Sequence, residues 1–152
     1  MNTNLGNVLF VSTNGPARGL MAAAWLNYRY GTRYKADATG FRNQPMSDEI
    51  AVAMKEIGVD IGGWRAPTVM ELIKANRQYD HIITLFNPLE PLPFPVYPGN
   101  ACRVHWRVHD PDRMMRDGFT QAEMIRHIRH RICDLIDGWV FNAEPVRIRE
   151  PA

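Results

Sequence analysis

Cysteine is scarce in this chain: Cys102 and Cys133 are the only two among 152 residues, and they form no Cys-x-x-Cys pair. Two isolated thiols are typical of a protein kept in a reducing compartment. An excess of one charge sign is also lacking, because 18 Lys and Arg residues against 16 Asp and Glu residues give a net formal charge of only +2. A near-neutral surface gives no electrostatic reason to expect nucleic acid or a membrane surface as a partner. No apolar run approaches the ~20 residues that a membrane-spanning helix needs.

Targeting signals and cofactor motifs are also missing. Residues 1–6 lack the basic segment and apolar core of a signal peptide, so we expect a cytoplasmic protein. The length suits a single domain over residues 1–152, and 45% hydrophobic with 22% charged residues is ordinary for a globular protein. We predict no cofactor, and no metal because His105 and His109 have no convincing third ligand.

Hydrophobic patterning predicts strands that alternate with helices. Continuous apolar runs indicate buried strands, and apolar residues at helical spacing indicate helices packed on them. The alternation predicts an α/β fold, a three-layer α/β/α domain with a central four-stranded, mostly parallel sheet and helices on both faces. The predicted strands are 8–12, 34–39, 81–85 and 103–108, and the predicted helices are 17–30, 47–57 and 67–76, with a last helix after residue 120.

Capping residues support two of these helices. Ser47 is the predicted N-cap of the second helix, and Thr120 with Glu123 predicts a capping box for the last one. Gly138 is expected to loosen the end of that last helix. Its basic positions, which we interpret as a solvated helix face, are Arg126, His127, Arg129, His130 and Arg131.

The most informative segment is the loop that follows the first strand. The strand ends at Ser12, five turn-favouring residues follow, and Arg18 then opens a long apolar helix. Such a junction directs backbone N–H groups and the positive end of a helix at one point, which favours a tetrahedral oxyanion. An arginine there can hold two oxygens of the same anion. The predicted oxyanion-binding residues are Ser12, Thr13, Asn14, Gly15, Ala17 and Arg18.

This loop resembles the phosphate-binding loop of low-molecular-weight protein tyrosine phosphatases and thioredoxin-coupled arsenate reductases. In that family a nucleophilic cysteine is followed by five residues and an arginine. The spacing is kept from Ser12 to Arg18, but the cysteine is absent. The resemblance extends in order over residues 7 to 140, through "AMKEIGVDIGGWRA", "YDHIITL", "FPVYPG" and "VHWRVHDP", and is closest to the arsenate reductases.

The redox positions of the arsenate reductases are also changed. The resemblance places their two further cysteines at Phe86 and Phe94 of this chain. Phenylalanine forms neither a thiolate nor a disulfide, so arsenate reduction by the family mechanism is excluded. Cys102 and Cys133 fall elsewhere in the sequence, and we interpret them as small structural residues.

Further differences concern the residues that would support catalysis. A serine hydroxyl at Ser12 would need a strong base, and we interpret His105 and His109 as ordinary histidines rather than as that base. The serine or threonine that follows the arginine in the family is Gly19 here. The resemblance makes Asp110 the family's general acid. Because the Asp110-Pro111 pair also favours a turn, we predict a structural role for it.

Three interpretations remain open. The first is a degenerate member, a pseudoenzyme that retains an oxyanion- or phosphate-binding loop and takes a phosphate-like oxyanion or phosphorylated ligand. The second is an active low-molecular-weight phosphatase in a Cys-to-Ser variant. The third is an interaction or scaffold domain with a relic pocket, and the proline-rich segment over residues 86–95 is the feature that favours it. The sequence names no protein partner.

Overall fold

The computed structural model describes residues 6–13, 15–41, 46–87, 97–109 and 118–143. The predicted α/β fold is confirmed, and the element bounds lie within about two residues of those predicted. The strands are β1 (Gly6–Ser12), β2 (Tyr34–Gly40), β3 (His81–Phe86) and β4 (Cys102–Arg107). The helices are α1 (Ala17–Tyr30), α2 (Asp48–Lys55), α3 (Val69–Lys74) and α4 (Gln121–Ala143).

The four strands form one sheet in the order β2-β1-β3-β4, and each neighbouring pair is parallel. β1 therefore lies inside the sheet, with Ser12 opposite Gly40 of β2 and Leu85 of β3. The chain leaves β1 towards β2 on one side, while β3 lies on the other. Such a switch in strand order opens a crevice at the carboxyl ends of the strands, and this crevice is where the loop after β1 lies.

The two faces of β1 enter two different cores. Val8 and Phe10 pack with buried residues of α1, α2 and α4, whereas Leu9 and Val11 pack with Leu72 of α3. Successive side chains of a strand point to opposite faces, so a continuous apolar strand requires a layer on each side. The predicted three-layer arrangement follows from this alternation.

Helix α1 links the loop to the edge strand β2. It begins at the predicted residue, after Pro16, and ends before Gly31. The amide of Asn27 forms two hydrogen bonds with the backbone of Ala36, its Nδ2 donating to the carbonyl oxygen at 2.9 Å and its Oδ1 accepting from the N–H at 2.8 Å. These bonds satisfy backbone groups of a strand that has a neighbour on one side only. The position of α1, and so of the loop before it, is fixed against the sheet.

Helix caps differ from their predictions in detail. The capping box of α4 is confirmed, because the N–H of Glu123 donates to Thr120 Oγ1 at 3.1 Å and the N–H of Thr120 donates to Glu123 Oε1 at 2.9 Å. Gly138 does not loosen the helix, which continues to Ala143. Ser47 occupies the N-cap position of α2, but its side chain makes no capping hydrogen bond. None of the helices in the described ranges is long and apolar enough to span a bilayer.

The solvated basic face predicted for α4 is wrong at one residue. Arg129 is buried, and its Nη1 donates to the carbonyl oxygen of Ala53 at 2.6 Å and to Glu56 Oε1 at 2.7 Å. Arg126 contacts the same carboxylate, with Nη2 and Oε2 2.7 Å apart. Two arginines of α4 therefore fasten the end of α2, while His127, His130 and Arg131 are exposed as predicted.

Candidate functional site

Ser12 lies at the carboxyl end of β1 and is 0% exposed. Its Oγ accepts a hydrogen bond of 2.7 Å from the backbone N–H of Gly19, the third residue of α1. The first N–H groups of a helix have no partner within the helix and need one from outside. Pro16, at the N-cap position, provides no side-chain hydrogen bond. The hydroxyl of Ser12 therefore caps α1 from the neighbouring strand.

Arg18 is also buried, at 1% exposure, although it carries a charge. Its Nη1 donates to the carbonyl oxygen of Val108 at 2.8 Å and lies 3.5 Å from Asn87 Oδ1, and its Nη2 lies 3.4 Å from Thr13 Oγ1. These three partners follow β4, β3 and β1 respectively. The guanidinium thus joins the carboxyl ends of three strands beneath the loop. Sequence alone predicted Arg18 as an anion contact and missed Asn87 and Val108 as its partners.

The backbone donors of the loop are not all available to a ligand. The N–H of Thr13, predicted as a donor to the oxyanion, instead donates to the carbonyl oxygen of Leu85 at 3.1 Å and continues the sheet. This N–H is engaged because the parallel pairing of β1 with β3 extends one residue past Ser12. No hydrogen bond from the N–H of Gly15 or Ala17 is found within the described ranges. Asn14 lies outside the described residues.

Phe86, at the predicted redox position, belongs to the core at the end of β3. It is among the largest fully buried side chains. The guanidinium carbon of Arg107 lies 5.0 Å from its ring centroid, and the His105 ring meets it edge-on with centroids 6.4 Å apart. The ring is therefore held by β4 in a position where a thiol would leave a void. Phe94 and Asp110 lie outside the described residues.

His105 and His109, which the sequence analysis interprets as ordinary histidines, lie against groups other than Ser12. His105 is exposed on β4 against Phe86, and His109 lines a cavity of about 570 Å³ with residues of α4 that include His127 and His130. Neither histidine hydrogen-bonds Ser12 in the described part of the chain. Within those same ranges, no cluster of three or more His, Cys, Asp or Glu side chains could hold a metal ion.

The two cysteines lie on β4 and α4, outside the loop that follows β1. Cys102 begins β4 opposite His81, the first residue of β3, whereas Ser12 pairs with Leu85. At about 3.3 Å per residue, the thiol is roughly 13 Å along the sheet from the loop. Cys133 is half-buried on α4, and burial raises the pKa of its thiol to about 12. Its thiolate, the reactive form, is therefore suppressed at neutral pH.

Comparison with known proteins agrees with this geometry. No family model matches the chain. An arsenate reductase of Halalkalibacterium halodurans is 27% identical over 126 residues, which cover 82% of this chain and 88% of that protein. An arsenate reductase of Bacillus subtilis is 27% identical over 106 residues, covering 70% of this chain and 74% of that protein.

Solved structures share the fold. An arsenate reductase in its phosphate-binding state superposes with a TM-score of 0.71 at 20% identity, covering 91% of this chain and 98% of that one. A protein tyrosine phosphatase superposes with a TM-score of 0.63 at 15% identity, covering 95% and 99%. The chain therefore has the α/β fold that these arsenate reductase and protein tyrosine phosphatase structures share. Its sequence relatives are arsenate reductases, so the family resemblance found in the sequence is confirmed.

Proposed function

We propose that this chain is a degenerate member of the arsenate reductase and low-molecular-weight phosphatase family. In this proposal it keeps the oxyanion-binding loop and has lost the family's covalent chemistry. The observation that carries the proposal is Ser12, which is fully buried and whose Oγ accepts the N–H of Gly19. In this proposal Ser12, which stands at the position of the family's nucleophile, has a structural role and no catalytic one.

The chemistry of serine supports the absence of catalysis. A cysteine attacks phosphorus as a thiolate, whose formation the loop amides and helix end favour, whereas a hydroxyl ionises far above neutral pH and needs an adjacent base. In the described residues the hydrogen bond of Ser12 comes from an amide N–H, and no histidine reaches it. Without a nucleophile, a phosphate held in the loop undergoes no transfer.

The redox half of the family chemistry has no support either. Arsenate reduction by thiols requires several cysteines that form disulfides with one another in successive steps. Phe86 fills its position as core, and the thiols of Cys102 and Cys133 lie elsewhere in the fold. The proposal therefore assigns this chain neither arsenate reduction nor phosphate ester hydrolysis.

Retention of anion binding follows from what remains of the loop. The N-terminus of α1 still contributes positive potential at the carboxyl edge of the sheet, where Arg18 is held by its contacts with Thr13 and Val108. Two donors are unavailable to the anion, because the Thr13 N–H donates to the carbonyl oxygen of Leu85 and Pro16 has no N–H. A hydrogen bond to a charged group contributes about 1.5–3 kcal/mol, so we expect phosphate to bind in roughly the millimolar range.

Titration of inorganic phosphate into the isotopically labelled protein tests this binding. Backbone amide signals of Gly15, Ala17 and Arg18 should shift with saturation at millimolar phosphate, and added chloride should weaken the effect by screening. Arg18→Lys keeps one charge and should weaken binding, whereas Arg131→Ala, which removes an exposed arginine of α4, should leave it unchanged. Shifts that are absent, or equal in both variants, would contradict retained anion binding.

One observation favours the relic-pocket scaffold as a second candidate. Thr13 N–H and Arg18 Nη1 already have protein partners, Leu85 and Val108. A loop closed on itself in this way would act through its surface rather than through a ligand. A flat phosphate titration together with an intact fold supports this candidate over the first.

A further inference from the structure

Two departures of this chain from the family pattern meet in space. A Cβ atom built on Gly19 would lie 3.0 Å from Ser12 Oγ, 3.1 Å from the carbonyl oxygen of Phe10 and 3.5 Å from the Cβ of Ala38. The first two distances are tighter than ordinary contacts of a real Cβ, and one of them is to backbone that cannot rotate away. A side chain at position 19 would require the hydroxyl of Ser12 and the backbone of Phe10 to shift by a few tenths of an ångström.

The same close approach makes the hydrogen bond possible. Because Gly19 has no side chain, its N–H comes within 2.7 Å of Ser12 Oγ. Both groups are buried, so removing the acceptor would leave an unsatisfied N–H away from water. The serine and the glycine therefore depend on each other: the hydroxyl satisfies the amide, and the missing Cβ admits the hydroxyl.

We propose that Ser12 and Gly19 form one structural unit, an internal cap that holds the junction of the loop and α1 in place without a bound anion. The inference deepens the proposed function and rests on it only in treating Ser12 as a structural group. In an enzyme of this class the loop must present a reactive atom to its ligand. Here the equivalent position is satisfied by the first turn of the helix, so the loop keeps its shape whether or not phosphate is present.

A double-mutant cycle on the unmodified full chain tests the dependence. Ser12→Ala and Gly19→Ala should each lower Tm by several degrees. In the double variant the Tm loss should be clearly smaller than the sum, because Gly19→Ala then no longer meets Oγ. Gly138→Ala is the matched control: no atom of the described residues lies within 4 Å of its Cβ position on α4, so its effect should be a small gain in Tm from helix propensity, additive with Ser12→Ala.

Amide hydrogen exchange of the unmutated protein provides a test that needs no variant to fold. The Gly19 N–H should be strongly protected without phosphate, and saturating phosphate should change its exchange rate less than twofold. In Ser12→Ala the rate should rise at least tenfold relative to amides in the middle of α1.

Additive Tm losses in the cycle, or a Gly19 amide that becomes protected only with phosphate, would overturn the internal cap. Either result leaves the absence of turnover untouched. Turnover of a phosphate ester by the unmutated chain would instead contradict the proposed function while the cap stands, so the two failures are distinguishable.

Discussion

The carboxyl ends of β1 and β3 lie side by side in the sheet, and both are positions where the family resemblance implies a cysteine. They have changed in opposite ways. At the end of β1, Ser12 is polar and hydrogen-bonded to Gly19. At the end of β3, Phe86 is apolar and packed beneath Arg107. Each replacement matches the demand of its surroundings.

The difference shows which structural constraints act at the two strand ends. The end of β1 faces the first turn of a helix, whose N–H groups need an acceptor, so the position remains polar. The end of β3 faces the interior with no such demand, and the largest gain there comes from buried apolar area. A structural constraint therefore accounts for the polar residue at the end of β1 without any catalytic role.

Phe86→Ala should give the largest effect. Removing a fully buried aromatic ring leaves a cavity and should lower the free energy of unfolding by about 3–5 kcal/mol, measured by urea denaturation. Phe141→Ala, which removes a ring that is 64% exposed at the end of α4, should change it little. Similar losses in the two variants would show that the end of β3 is not the tightly packed core described above.

Ser12→Ala should follow with an intermediate loss of about 1–3 kcal/mol, because the Gly19 N–H loses its acceptor. The same urea measurement can use Ser47→Ala as its control. Ser47 Oγ is buried too, but among the described residues it has no hydrogen-bond partner, so its removal should be neutral or slightly stabilising. If Ser12→Ala lowered the free energy of unfolding no more than Ser47→Ala does, the hydroxyl at the end of β1 would not stabilise the fold, and the proposed contrast with the end of β3 would fail.

Glu56→Gln should have the smallest effect of the three, present at neutral pH and lost in acid. Hydrogen bonds from Arg126 and Arg129 lower the pKa of Glu56 from its usual 4.5 to about 2. A carboxylate with a lowered folded-state pKa stabilises the protein above its unfolded pKa, and this contribution is lost as the pH falls from about 4.5 to about 2. When Tm is measured at a series of pH values, it should fall less steeply between about pH 4.5 and about pH 2 in Glu56→Gln than in the unmutated chain.

Glu49→Gln, at an exposed carboxylate earlier in α2, provides the control for this pH dependence. It should leave the acid profile close to that of the unmutated protein. The Gly19 exchange rate should be the same in both variants, because the fastening of α2 to α4 lies apart from the loop. If Glu56→Gln left the dependence of Tm on pH unchanged, Arg126 and Arg129 would not hold the carboxylate of Glu56 in solution.

Much of the fold could be predicted because it depends on local signals. Helix α1 follows its apolar spacing and begins and ends at the predicted residues, and the box of Thr120 and Glu123 is readable from two positions three residues apart. The burial of both faces of β1 follows from its continuous apolar run, which requires a layer on each face. The loop could be located for the same reason, as the junction of two such elements.

The details of the site depend on contacts that the sequence does not encode locally. Whether the Thr13 N–H faces a ligand or Leu85 is decided by how far β1 and β3, which are distant in the chain, stay paired. The burial of Arg129 likewise depends on where the end of α2 lies. The role of Gly19 could not be predicted either, because it is the absence of a Cβ that matters, and only against Ser12 and Phe10.

The most direct test of the central claim is turnover of an aryl phosphate by the unmutated protein and by Ser12→Cys, with Arg131→Ala as an irrelevant variant. We predict no turnover above that of buffer for any of the three proteins. The side chain at position 12 caps helix α1, and Gly19 has no hydroxyl that could stabilise a thiolate by a hydrogen bond. Phosphate release by the unmutated chain, or strong rescue by Ser12→Cys alone, would contradict the account and identify an active phosphatase whose cysteine has been replaced.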